Sequence, residues 1–300
     1  MNYGIVFPGQ GSQSVGMLSD LSKIYPEIIE TFKMVSEQVH YDLWHVTQHG
    51  PTEVLNQTEH TQVAMLTADV VLYQVLQRQQ LPAPLIMAGH SLGEYAALVC
   101  ADAISLADAA KLVQTRGKLM QEAIPLGSGA MAAIIGLSDE QIRDICVKSS
   151  QHNEQVTPAN YNAIGQTVIA GHTAAVQRAI SLADTHQAIL AKIIPVSVPC
   201  HCELLKPAAE KFSDALAHTP IYPPKFPVIS NVDLSIYESA QQIRALLEQQ
   251  LYSPVRWVET IQMMQKAGVD TIIECGPGKI LSGLIKRIDK TLKLESVITT

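Results

Sequence analysis

A short apolar run, Tyr3 to Phe7, closes on Pro8-Gly9 and predicts a buried first strand entering a loop. Leu85-Ile86-Met87-Ala88 repeats the pattern, ends at Gly89 and gives way to helix-forming residues from Glu94, so a strand, a sharp turn and a helix follow one another. Longer helical periodicity runs from about Thr61 to Gln77 and from about Ser105 to Ala123, with Ser105 and Asp108 placed as an N-cap and its N3 partner. Strands flanked by helices predict a parallel sheet covered on both faces.

The rhythm changes after Pro125-Leu126-Gly127-Ser128-Gly129. Ala130 to Ile135 predicts a strand, and Ser138-x-x-Gln141 a capping box opening a helix to about Lys148. Extended segments near Val156 to Asn162 and Thr167 to Ala170 precede a helix from about Thr173 to Asp184 and a strand from Ile189 to Val196. That β-α-β-β-α-β order is the ferredoxin-like arrangement. Beyond Pro199 the earlier alternation resumes: a helix near Glu203 to Leu216, a strand Val228 to Asn231, helices from Ala240 and Pro254, a strand Thr271 to Glu274 and a helix from Pro277. The expected organisation is an α/β core of residues 1–125 and 198–300 around an inserted small domain, 126–197.

Of 300 residues, 47% are hydrophobic and 16% charged, against an average of roughly 25% charged. A compact globular chain is implied, not a disordered one or a coiled coil. The longest nearly unbroken apolar stretch, Ala130 to Leu137, is far short of the ~18 to 20 residues that cross a bilayer. The opening MNYGIVFPGQG lacks a basic segment followed by an apolar one, so the expected compartment is the cytoplasm. A net charge of -7 offers no general field for phosphates, and nucleic acid is not an expected partner. Five cysteines, an odd number without a C-x-x-C pair, suit a reducing compartment. Cys200-His201-Cys202 suggests metal ligation, but a second ligand pair at comparable spacing is missing and no metal site is expected.

Gly89-His90-Ser91-Leu92-Gly93 matches G-x-S-x-G and lies between a predicted strand and a predicted helix, where that motif lifts a serine hydroxyl clear of a sheet. Free N–H groups at the helix start can then stabilise an oxyanion. The serine needs a base within hydrogen-bond reach. His90 is expected to point away from Ser91, and His172 and His186 fall in the insert. His201 is preferred, in a loop where the chain re-enters the core, although the residues alone leave a purely structural histidine open. Arg116 shares a helix stripe with Leu112, Val113 and Met120, so it faces the core and needs an anion: either a nearby carboxylate in an ion pair or the carboxylate of a substrate. Gly9 to Ser14 and Gly276 to Lys279 fail the nucleotide-loop patterns; they are either tight turns or loops that close a pocket and offer N–H groups.

Six strings, FPGQGSQ (7–13), GHSLGEYAAL (89–98), TRGKLMQ (115–121), SVPCHC (197–202), QLYSPVRW (250–257) and ECGPGK (274–279), together resemble the bacterial malonyl-CoA:acyl carrier protein transacylases over nearly the whole chain. The resemblance implies an α/β-hydrolase-like core with a ferredoxin-like insertion. It implies Ser91 as nucleophile, His201 as base and acid, the amides of Gln10 and Leu92 as oxyanion hole, Arg116 as partner of the malonyl carboxylate, and Gln250 as the residue whose main-chain carbonyl orients the histidine. The family usually has serine at Cys200, which places a thiol beside the base as an oxidation site. The substrates implied are malonyl-CoA and acyl carrier protein, whose phosphopantetheine brings the accepting thiol. No cofactor, no membrane and a monomer are expected. Lys279, Lys286, Arg287 and Lys290 cluster near the C-terminal helix, either as a solvated face or as a docking patch for an acidic carrier protein. The competing readings are a thioesterase or esterase with the same elbow, a trans-acting polyketide-synthase acyltransferase and a non-catalytic docking module.

Overall fold

The computed structural model describes residues 2–125, 127–196 and 198–297. Leu126 and Ser197, the ends of the predicted insert, lie outside the described residues. The chain begins with β1 (Tyr3–Phe7) and helices α1 (Ser19–Ile24), α2 (Glu27–Val39), α3 (Leu43–His49), α4 (Thr52–Leu55) and α5 (Thr58–Gln77). β2 (Ile86–Gly89), α6 (Gly93–Cys100) and α7 (Leu106–Glu122) follow, then β3 (Gly129–Ile135), α8 (Asp139–Ser149), β4 (Val156–Ala163), β5 (Gln166–His172), α9 (Thr173–Thr185) and β6 (Leu190–Ile193). After a 3-10 turn at Glu203–Leu205 come α10 (Lys206–His218), β7 (Val228–Ile229), α11 (Ala240–Gln250), α12 (Trp257–Lys266), β8 (Thr271–Glu274), α13 (Ile280–Ile288) and β9 (Lys293–Ser296).

The first sheet is parallel, in the order β7-β2-β1-β8-β9. β1, β2 and β8 are buried at every position, because helices cover both faces, and this is why they appear in the sequence as apolar runs. The charged exception, Glu274 at the end of β8, accepts from the amides of Leu281 and Ser282 and so caps the first turn of α13. Phe7 pairs with Gly89, and Ala88 with Ile229, so the strands end level. The loops after β1, β2 and β7 therefore emerge side by side at the carboxyl edge, where open α/β sheets place their sites.

The second sheet is antiparallel, in the order β4-β5-β3-β6. One face packs on α8 and α9, including Ile142, Ile145, Val176 and Ala179. The other, with Met131, Val168 and Ala170, packs on Cys202 and Cys200 and thereby supports the loop that carries His201. Tyr161 N–H donates to the Val255 carbonyl and Val255 N–H to that of Ala159, tying β4 to the segment before α12.

Some elements differ from expectation. The strand expected over 189–196 narrows to Leu190–Ile193, because Pro195 has no N–H to extend the ladder. The helix expected from Pro277 starts at Ile280, after Gly278 turns the chain at φ 78°. Helices α1 to α4 and strand β9 occupy stretches with no predicted element.

One close crossing fixes the position of α7. A Cβ on Gly117 would lie 2.6 Å from the Glu59 Cα, so the two helix backbones touch there and no side chain fits between them. Gly117→Ala is therefore expected to push α7 off α5, cost about 1–3 kcal/mol by overpacking and lower Tm by roughly 2–4 °C per kcal/mol. An unchanged Tm in thermal denaturation would contradict the tight crossing.

Candidate active site

Ser91 sits in the turn between β2 and α6 with φ 53°, a left-handed backbone that a β-carbon disfavours. The flanking glycines make this turn feasible. A Cβ on Gly89 would lie 1.8 Å from the Gly93 carbonyl carbon, and one on Gly93 would lie 2.0 Å from the Phe7 carbonyl oxygen. Asn231, just after β7, braces the turn from outside: its Oδ1 accepts from Ser91 N–H at 2.8 Å and its Nδ2 donates to the Gly89 carbonyl at 2.7 Å.

Ser91 Oγ lies 2.8 Å from His201 Nε2. On the other side of the ring, Nδ1 lies 2.8 Å from the main-chain carbonyl oxygen of Gln250. A carbonyl only accepts, so Nδ1 carries the proton and Nε2 is the bare nitrogen facing the serine. Burial, with the nearby Arg116 charge adding to it, pulls the His201 pKa down to about 3. The resting ring is thus neutral, with the Nε2 lone pair turned to the serine hydroxyl.

A cavity of about 340 Å³ opens over Ser91 and His201, walled by Gln10 and Gly11 from the loop after β1 and by Met131 and Val198 from the antiparallel side. Gly9 lets the first loop lie against the elbow, since a Cβ there would lie 2.5 Å from the His90 carbonyl oxygen. Neither the Gln10 nor the Leu92 amide donates to a backbone carbonyl among the described residues, and Leu92 stands at the N-terminus of α6. The two glycine-rich segments thus separate: the loop at 9–13 lines the cavity, whereas Gly276 packs against Pro8 and Asp69 as a tight turn.

Arg116 is fully buried on α7 and has no ion pair among the described residues. Its Nη1 donates to Gln62 Oε1 at 2.8 Å, its Nη2 to Gln250 Oε1 at 2.9 Å, and Nη2 also reaches Ser91 Oγ at 3.5 Å. The guanidinium lies over the Tyr95 ring, 5.4 Å from its centre, and Nε has no hydrogen-bond partner among the described residues. The ion-pair alternative left open by the sequence is not met among the described residues. A buried cation within reach of the serine is held by neutral groups.

The other expected residues fall elsewhere. His90 borders the cavity, but its Nε2 is bonded to Asn162 Oδ1 at 2.8 Å and its ring meets Trp257 edge-on, not Ser91. Cys200 is half-buried at the cavity wall, and burial pushes its thiol up to about 11, toward the neutral form. Lys279, Lys286, Arg287 and Lys290 are exposed on and around α13, outside the cavity lining, and Arg287 donates to Gln166 Oε1 on β5 at 2.6 Å. Among the described residues no group of three or more His, Cys, Asp or Glu could hold a metal ion, and no helix is long and apolar enough to cross a membrane.

Three residues of the site were not foreseen from sequence: Asn231, Gln62 and Glu94. Glu94 lies inside GHSLGEYAAL, and a lone acid among the apolar residues of the helix after the elbow was the available signal. The acyl transferase domain family matches residues 5–297. The malonyl CoA-acyl carrier protein transacylase of Escherichia coli (strain K12) is 51% identical over 295 residues, 98% of this chain and 95% of its own. The solved malonyl CoA-acyl carrier protein transacylase of Coxiella burnetii superposes with a TM-score of 0.98 at 49% identity, covering 100% of this chain and 94% of its own. A type II PKS acyl-carrier protein in complex with its malonyl-transacylase gives 0.98 at 48% identity, covering 100% and 97%.

The depressed pKa of His201 has a consequence for stability. An unfolded histidine takes a proton near 6.5 while His201 resists until about 3, so falling pH between these values favours the unfolded chain. Glu94, raised by burial to about 7, acts in the opposite sense between 4.5 and 7. Comparing wild type with His201→Gln isolates the first effect: Tm should fall less steeply with acidification in the variant from pH 6.5 to 4. Parallel Tm curves would contradict a buried neutral His201.

Proposed function

The chain belongs to the acyl transferase domain family, among its malonyl CoA-acyl carrier protein transacylases, and we infer that it moves a malonyl group from malonyl-CoA to the phosphopantetheine thiol of acyl carrier protein in fatty acid biosynthesis. The observation that carries the acyl preference is the buried, unpaired Arg116 beside Ser91. Family membership sets aside the thioesterase or esterase reading of the same elbow.

Ser91 Oγ attacks the thioester carbonyl as its proton passes to His201 Nε2. The resulting oxyanion is held by the Gln10 and Leu92 amides. Collapse breaks the carbon–sulfur bond, and the coenzyme A thiolate leaves with the proton from His201. The carrier thiol then gives its proton to His201, attacks the malonyl-serine ester and returns Ser91 to its free form. The malonyl carboxylate lies two carbon–carbon bonds from the attacked carbon, a reach that suits a guanidinium 3.5 Å from Oγ. Acetyl has no charge to offer Arg116, so it gains none of this pairing. No cofactor enters these steps.

The finer architecture belongs to this reading too. The parallel sheet with its serine turn is an α/β-hydrolase-like core over 1–125 and 198–300. The antiparallel sheet and its two helices form a ferredoxin-like unit over 126–197. The partners are malonyl-CoA and an acidic carrier protein that meets the exposed cations Lys279, Lys286, Arg287 and Lys290, with the chain acting as a monomer in the cytoplasm.

Intact-mass spectrometry after mixing with malonyl-CoA or acetyl-CoA tests the assignment. Wild type should gain a malonyl group on Ser91 far faster than an acetyl group, and Arg116→Ala should lose that preference by about 10²-fold or more while still taking acetyl. A variant that still strongly favours malonyl would contradict the role of Arg116, and a wild-type adduct on another residue would contradict that of Ser91.

A further inference from the structure

Glu94 is fully buried in the first turn of α6, three residues past the nucleophile, and takes no part in the steps above. Its carboxylate accepts from the Tyr237 hydroxyl, from Gln250 Nε2 at 2.7 Å and from the Asn231 amide at 3.3 Å. The Gln250 side chain then continues the chain of contacts. Its Oε1 accepts from Arg116 at 2.9 Å, its Nε2 donates also to the Ser91 carbonyl at 3.0 Å, and its main-chain carbonyl holds His201.

A primary amide has one oxygen end and one nitrogen end. Placed between a guanidinium and a carboxylate, it satisfies both only with oxygen toward the cation and N–H toward the anion; turned over, it meets both with like polarity. Resting on the transfer reading, we propose that Glu94 is a positioning residue whose negative charge fixes the Gln250 amide and thereby aims Arg116, so that the malonyl preference depends on the ionisation of Glu94.

Glu94 is neutral below its titration and charged above it. Burial raises its pKa to about 7, opposed by hydrogen bonds from Tyr237, Gln250 and Asn231 and by the Arg116 charge. Tyr95, on its own helix, and His201, across Gln250, are the other titratable groups of the cluster, and both stay neutral over the ordinary pH range. When Glu94 takes a proton, Gln250 Nε2 loses its charged acceptor and keeps only the Ser91 carbonyl, so the amide is held less firmly toward Arg116. The preference should therefore rise with pH through about 7. Tyr237 stabilises the charged form, so removing its hydroxyl should move the transition to higher pH.

The test measures initial rates of Ser91 acylation by malonyl-CoA and by acetyl-CoA from pH 5.5 to 9. The ratio of the two cancels the titration of steps they share, including that of His201. In wild type the malonyl-to-acetyl ratio should climb through pH 7. Glu94→Gln should hold it flat and about tenfold lower at pH 8, the size of one charge-assisted hydrogen bond. Glu94→Asp should restore a pH-dependent ratio, and Tyr237→Phe should shift the midpoint upward while keeping the plateau. A merely structural Glu94 would slow both acylations by one factor with the ratio unmoved, and that result would overturn the proposal. If Glu94→Gln does not fold, an unshifted midpoint in Tyr237→Phe overturns it equally. A wild-type chain that takes no acyl group on Ser91 would instead count against the transfer reading itself.

Discussion

A guanidinium buried without a carboxylate against it is costly, and much of this protein is arranged to hold Arg116 in that condition. Two neutral amide oxygens, from Gln62 and Gln250, and the face of Tyr95 surround it. The arrangement needs α7 pressed against α5, which Gly117 permits, because Gln62 lies on α5 and Arg116 on α7. It also needs the end of α11 brought to the carboxyl edge of the parallel sheet, since Gln250 is the last residue of that helix. The balancing negative charge, Glu94, is set one amide away, leaving the guanidinium available to a small carboxylate.

The same residues govern the base. Gln250 touches Arg116 through its side chain and His201 through its main chain, so the anion site and the proton-transfer site share one support. Arg116 also contributes to the low proton affinity of His201. In the proposed reaction an arriving carboxylate offsets that positive field, and the ring takes the serine proton more readily when the correct acyl group is present. Selectivity and activation then draw on one charge.

Parts of this were legible in the sequence, for identifiable physical reasons. Buried parallel strands are uniformly apolar, so β1, β2 and β8 stand out, and the glycines at 89 and 93 are demanded by contacts of 1.8 and 2.0 Å that nothing larger could survive. Arg116 was visible because a charge on an apolar stripe breaks the helical pattern. Helices α1, α3 and α4, of 6, 7 and 4 residues, are too short to show a period, and in α2 the exposed Ile29 and Met34 blur the helically spaced stripe of Ile28, Phe32, Val35 and Val39. β9 carries charged, exposed positions and so has no run to detect, while β7 keeps only Val228–Ile229 of the strand expected to reach Asn231. Gln62, Glu94 and Asn231 have no spacing signal, apart from Glu94 being a lone acid in an otherwise apolar helix. Their meaning lies in partners 54, 156 and 140 positions away in the chain, which only the fold brings together.

The central claim is that Arg116 is kept unpaired for the charge of the acyl group. It is tested most directly by comparing acylation of Ser91 by malonyl-CoA with acylation by its half-amide, in which an uncharged carboxamide of nearly the same shape replaces the carboxylate. Rapid-quench measurement should show the half-amide slower by about 10²-fold or more, since it leaves the guanidinium without an anion. Equal rates would mean that shape alone selects the substrate and that the buried arginine serves some other purpose.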